Sequence, residues 1–158
     1  MGTDEIFTHI DDKGQAHMVD VSDREITTRN AIASGKVLLT SRVVEMLRDG
    51  SVPKGDVLAT ARLAGIMGAK RTPDLIPLAH PIALQSVTVE LQVVNDGVTI
   101  QSSVRTADRT GVEMEALTSV SISALTIIDM VKSLDPSATI TDVRVDSKDG
   151  GRNGAWKR

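Results

Sequence analysis

Two runs of alternating character, SVTVELQVV (86–94) and VTIQSSVRT (98–106), flank Asn95-Asp96-Gly97. Alternation with a period of two puts the apolar side chains on one face of an extended strand. Asp-Gly between two such runs favours a tight hairpin, because both residues tolerate the left-handed backbone a short turn needs. A long antiparallel hairpin with one apolar face to cover is therefore predicted.

The cover is legible further along. From Gly111 to Leu134 the apolar residues Leu117, Val120, Ala124, Ile127, Ile128 and Val131 recur at three- and four-residue spacing, which predicts one long helix before Pro136. Upstream, Glu25–Leu39 is rich in β-branched and aliphatic residues and lacks proline, predicting a strand with Gly35 as a bulge. Thr40 or Ser41 can cap a short helix ending at Gly50. Asp56, after the Pro53–Gly55 turn, can cap a second helix running to about Arg71. Gly65 and Gly68 each cost that helix about 1 kcal/mol relative to alanine, so another backbone element is expected to pack closely on them. Pro73, Pro77 and Pro81 predict a stiff irregular loop that holds His80. A last strand, ATITDVRV (138–145), precedes a glycine-rich tail. The order contains β-α-β-β-α-β, predicting an α+β ferredoxin-like fold, an antiparallel sheet with helices packed on it. Residues 1–17 are expected to be a flexible arm, and 18–158 a single domain whose glycine-rich tail is flexible.

Composition narrows the function. Lys and Arg number 18 against 21 Asp and Glu, a net charge of −3, so no overall basic field exists to hold nucleic acid or an anionic membrane. Phe7 and Trp156 are the sole aromatic residues, too few to stack on single-stranded bases, and they leave the core aliphatic. The chain has no cysteine, hence no disulfide or thiolate metal site. The amino terminus carries no signal-like apolar run, and no later stretch is expected to supply the roughly 20 apolar residues of a membrane span; cytoplasmic residence is the expectation.

Several groups could carry chemistry. Gly50–Gly55 (GSVPKG) is not a phosphate-binding P-loop, since Asp56 stands where that motif needs lysine. Lys54, in a turn at a helix entrance, can still present its ammonium beside free N–H groups to phosphate oxygens, or can be a solvated turn lysine. His80 can donate to phosphate or move protons near neutral pH, or can be satisfied by loop backbone. His9, His17 and His80 form no metal-binding motif, and no metal is expected. Glu113 and Glu115 open the long helix, where carboxylates favour the positive end of the dipole. Asp129 and Lys132, three residues apart near its other end, share a face as a surface ion pair or as a site in which carboxylate and amine tune one another. Fourteen residues at about 1.5 Å each put Glu115 and Asp129 roughly 21 Å apart. One compact site cannot use both ends of one helix, so a neighbouring subunit is expected to supply one of them. The tail's Lys148 and Arg152 can fold over an anion or belong to a disordered terminus; Arg105 and Arg109 can meet phosphate or be solvated.

KGDVLATARLAGIMGAKRTPDLIPLAHP (54–81), followed by RTGVEMEALTSVSISALTIIDMVK (109–132), closely resembles the cyclic pyranopterin monophosphate synthase family of molybdenum-cofactor biosynthesis. MVDVSDREIT and SKDGGRNGAW extend the resemblance over nearly all of Met18–Trp156. It implies a ferredoxin-like subunit in a homohexamer, a trimer of dimers with active sites at dimer interfaces. The implied reaction converts 3′,8-cyclo-7,8-dihydro-GTP to cyclic pyranopterin monophosphate and releases pyrophosphate. No cofactor is required, and Mg²⁺ with the triphosphate is left open. Carried over by motif, Lys54, Asp129 and Lys132 are the catalytic residues. Leu78, Ala79, His80, Glu113, Met114, Glu115 and Lys148 bind substrate, while Asp20 and Arg29 fit more loosely. Where family members often have cysteine before the loop histidine, this chain has Ala79, so a thiol has no part in its mechanism. A non-catalytic oligomeric binder of pterins or nucleotides is the alternative.

Overall fold

A computed structural model describes residues 9–158. The expected arm over 1–17 lies partly outside them. His9–His17 closes a small turn in which Ile10 bridges Ala16 and the Asp11 carboxylate accepts from Lys13 and Gln15 N–H.

Five strands and four helices follow: β1 (Thr27–Leu38), α1 (Ser41–Asp49), α2 (Val57–Lys70), α3 (Thr72–Leu75), β2 (Ser86–Val94), β3 (Gly97–Asp108), α4 (Glu113–Val131), β4 (Thr139–Asp149) and β5 (Trp156–Lys157). They form one antiparallel sheet in the order β2-β3-β1-β4-β5, consistent with the expected α+β fold. The predicted hairpin is β2–β3, in register from Ser86 opposite Arg105 to Val94 opposite Gly97. β1 lies between β3 and β4, and its pairing with β4 shifts register around Gly35. A Cβ at Gly35 would stand 2.6 Å from a Val120 methyl, so glycine there lets α4 settle onto the sheet.

One sheet face carries the core. Ala31, Ala33 and Val37 of β1, with Val98, Ile100 and Val104 of β3, pack against Ala116, Val120, Ala124, Ile127 and Val131 of α4, all buried and all aliphatic. Each fully buried Val or Ile contributes about 1.5–3 kcal/mol relative to exposure. α2 lies against α4 through its glycines: a Cβ on Gly65 would sit 2.1 Å from Ser123 Oγ, and one on Gly68 2.8 Å from Ile122. The Ser123 hydroxyl donates to the Ala61 carbonyl at 3.0 Å, tying the two helices. Asp56 caps α2 as expected, accepting from Ala59 N–H at 2.9 Å.

Two sequence expectations need revision, for the proline-rich segment and for α4. The proline-rich segment begins with a helical turn, α3, because Pro73 falls in the first turn, where no N–H donor is needed; the Thr72 hydroxyl also anchors it to the Ala69 carbonyl at 2.9 Å. The glycine-rich tail turns back on itself. β4 runs on through Ser147–Asp149, Gly150, Gly151 and Gly154 take positive φ, and Trp156 pairs with Lys148. Finally, α4 is long and apolar enough to cross a membrane by length and composition, yet it packs as a core helix.

A candidate active site in two halves

The amino-terminal end of α4 opens into a cleft of about 830 Å³. β1 contributes Thr27, Arg29 and Asn30 to it, and the loop after α3 contributes Leu78, Ala79 and His80. The entry to α4 adds Glu113, Met114 and Glu115, and the β4 end with its glycine turn adds Lys148 to Asn153. Val19, Val21 and Asp23–Glu25 close another side. The seven residues expected to bind substrate, Leu78, Ala79, His80, Glu113, Met114, Glu115 and Lys148, therefore share one wall system.

The cleft is electrostatically mixed. Lys148 Nζ stands 3.5 Å from Glu113 Oε1, and Arg24, Arg29 and Arg152 add cations. Glu115 is 3 % exposed; burial, with repulsion from Glu113, pushes its pKa from 4.5 to about 7. Near neutral pH it can give or take a proton. His80 Nε2 lies 2.7 Å from the Val19 carbonyl. A carbonyl only accepts, so Nε2 carries the proton, and in the neutral ring Nδ1 is the acceptor. The backbone-satisfied histidine considered from sequence is thus the observed geometry, on a ring that also lines the cleft.

The second half sits at the other end of α4. Lys132 Nζ is 2.6 Å from Asp129 Oδ1, while Lys54 Nζ donates to the Asp129 carbonyl at 2.6 Å and stands 3.9 Å from Oδ2. The hydrogen bond from Lys132, then the charges of Lys132 and Lys54, hold the Asp129 carboxyl below the ordinary range. All three side chains are exposed, and none lines the cleft. Two ammonium groups on one carboxylate leave a net positive, solvent-facing cluster suited to phosphate oxygens or to proton donation.

The ten expected site residues are thus gathered into two groups, at opposite ends of one helix. Thr27, Asn30 and, within 19–25, Val19, Val21, Asp23, Arg24 and Glu25 line the cleft without having been singled out from sequence; of the two loosely placed residues, Arg29 lines it and Asp20 does not. Alternation along β1 puts Thr27 and Arg29 on one face, but nothing local marked that face as continuing from core into cleft. From sequence, Arg105 and Arg109 can meet phosphate or be solvated. The structure instead turns Arg109 onto the main-chain carbonyls of Ser22 and Arg24. Among the described residues no group of three or more His, Asp or Glu side chains has metal-holding geometry.

A protein named cyclic pyranopterin monophosphate synthase from Streptomyces griseus is 63% identical over 158 residues, covering 100% of this chain and 89% of its own. One of the same name from a Nocardioides species is 55% identical over 155 residues, covering 96% of this chain and 95% of its own. A Mycobacterium tuberculosis protein named cyclic pyranopterin monophosphate synthase 2 is 53% identical over 152 residues, covering 96% and 91%. Residues 18–151, which hold both halves of the site, match the MoaC family, and the chain belongs to that family.

Proposed function

We propose that this chain is a cyclic pyranopterin monophosphate synthase, a lyase of molybdenum-cofactor biosynthesis that rearranges 3′,8-cyclo-7,8-dihydro-GTP and releases pyrophosphate. The observation that carries the reading is family membership over residues 18–151, which span both the cleft and the lysine cluster.

The chemistry fits those two halves. A triphosphate needs fixed cations, and Lys148, Arg29, Lys54 and Lys132 supply them. Opening and reclosing rings needs proton donors and acceptors near neutral pH, a role open to Glu115, His80 and the lysines. Closing a cyclic phosphate requires a hydroxyl in line with the α-phosphorus, opposite the departing pyrophosphate, which is mainly positioning. Lys54 and Lys132, oriented by Asp129, stabilise the charge that gathers on pyrophosphate. No resident cofactor enters this reading, and Mg²⁺, where present, arrives as part of the triphosphate substrate.

The site is read as shared between subunits of a homo-oligomer, a hexamer built as a trimer of dimers. Support comes from the separation of the halves, roughly 21 Å along one rigid helix. The helix layer also exposes Leu63 and Met67, one turn apart on α2, and Leu125 on α4, an apolar surface suited to burial against a second copy. The net charge of −3 supports a small-molecule substrate over nucleic acid or anionic membrane, and the cysteine-free composition suits the cytoplasm.

Incubating purified protein with the cyclised nucleotide tests the function. The pterin product and pyrophosphate should appear together; tight binding without turnover would favour a non-catalytic pterin or nucleotide binder.

A further inference from the structure

We propose that Arg109 is a positioning residue, whose side chain clamps the 19–25 segment as one rim of the cleft; the inference rests on the function proposed above. Residues 18–26 belong to no strand or helix. Among the described residues, their hydrogen bonds to the rest of the fold come from two side chains, His80 to the Val19 carbonyl and Arg109 to those of Ser22 and Arg24. Arg109 Nη1 serves both carbonyls, and its bond to Arg24 measures 2.9 Å. Arg109 does not itself line the cleft, whereas Val21, Arg24 and Glu25 do.

The same turn holds Arg29. Its Nη2 donates to the Arg109 carbonyl and its Nε to the Asp108 carbonyl, each at 3.2 Å. The turn is braced in turn by Arg109 N–H on Asp108 Oδ1 at 2.7 Å. From the far side Gly151, with φ of +79°, closes over the guanidinium so tightly that a Cβ would stand 2.0 Å from Nη1. Two of Arg29's five donors are thereby committed, and the group is fixed in the cleft wall, where its charge suits a phosphate. The 108–109 turn thus holds the rim through the Arg109 side chain and Arg29 through its main-chain carbonyls.

The test compares the parent protein with Arg109→Ala by hydrogen exchange and by steady-state kinetics on the cyclised nucleotide. Exchange should quicken at Val19–Glu25 and stay unchanged in β1 and α4. KM should rise about tenfold, about 1.4 kcal/mol of affinity, with kcat within about twofold, since loosening the rim that carries Arg24 and Glu25 weakens binding and leaves the rest of the cleft in place. Unchanged exchange at 19–25, or a loss confined to kcat, would overturn the clamp. Should Arg109→Ala not fold, Arg109→Gln keeps most of the stem without the guanidinium. Faster exchange confined to 19–25 then supports the clamp, and parental exchange overturns it. Absence of turnover in the parent would refute the proposed function, while the exchange result would still decide the role of Arg109.

Discussion

The Lys54 ammonium donates to the main-chain carbonyl of Asp129 at 2.6 Å, joining the turn before α2 to the carboxyl end of α4. A helix end leaves carbonyls without intrahelical partners and carries partial negative charge, so a cation is held there by dipole and hydrogen bond together. That contact brings Lys54 to the same carboxylate as Lys132, although 78 residues separate the two lysines in sequence.

Both ammonium groups are solvent-facing, so removing them is expected to cost little stability and much activity. Lys54→Ala and Lys132→Ala should keep parental circular dichroism and lose about 10²–10³-fold in product formation, the range typical for deleting a preorganised electrostatic contact to a transition state. Folded variants with full activity would remove both lysines from the chemistry.

Glu115 makes stability depend on pH. Its folded pKa of about 7 exceeds the ordinary 4.5, so between these values the native state holds the proton more tightly than the unfolded chain does. Stability from this group is present below about 4.5 and is lost as pH rises through about 7. Glu115→Gln should remove that slope and be the more stable form at pH 8 by roughly 2 kcal/mol. Urea unfolding of both proteins at pH 5 and 8 checks this; equal slopes would mean that burial leaves the carboxyl unperturbed.

At the α2–α4 contact, a methyl group on Gly65 has no room beside Ser123 Oγ and the Ser119 carbonyl. Gly65→Ala gains helix propensity of about 1 kcal/mol but must push the helices apart, an overpacking cost of about 1–3 kcal/mol plus strain on the Ser123 hydrogen bond. Thermal unfolding should show a net loss of several degrees. A raised midpoint would show that the helices relax freely.

Most of the scaffold was legible because its signals are local. Alternation around Asp96-Gly97 marked β2–β3, three- and four-residue spacing marked α4, and Asp56 marked the start of α2. The glycines at 65 and 68 correctly announced close helix packing, since nothing else explains their cost in a helix interior. In the tail, glycines read alike in a mobile terminus and in a tight turn, so the pairing of Trp156 with Lys148 was not legible. Pro73 misled because a proline that ends one helix can also open another. The seven motif residues expected to bind substrate all line the cleft, whereas Thr27 and Asn30, which line it too, belong to no motif legible on its own. Arg109 was visible as a cation, but its partners were not: its guanidinium donates to the main-chain carbonyls of Ser22 and Arg24, which any residue carries.

In the proposed assembly the cleft of one subunit works with the Lys54–Asp129–Lys132 cluster of another. Mixing two inactive variants tests it most directly: Lys132→Ala, which damages one half, and the double variant His80→Ala/Lys148→Ala, which damages the other. Random re-pairing makes half the dimers mixed, and each mixed dimer holds one intact site of two, so about a quarter of parental activity should return. Activity that stays at the level of the separate variants after verified subunit exchange would place the whole site within one chain and rule out a shared site.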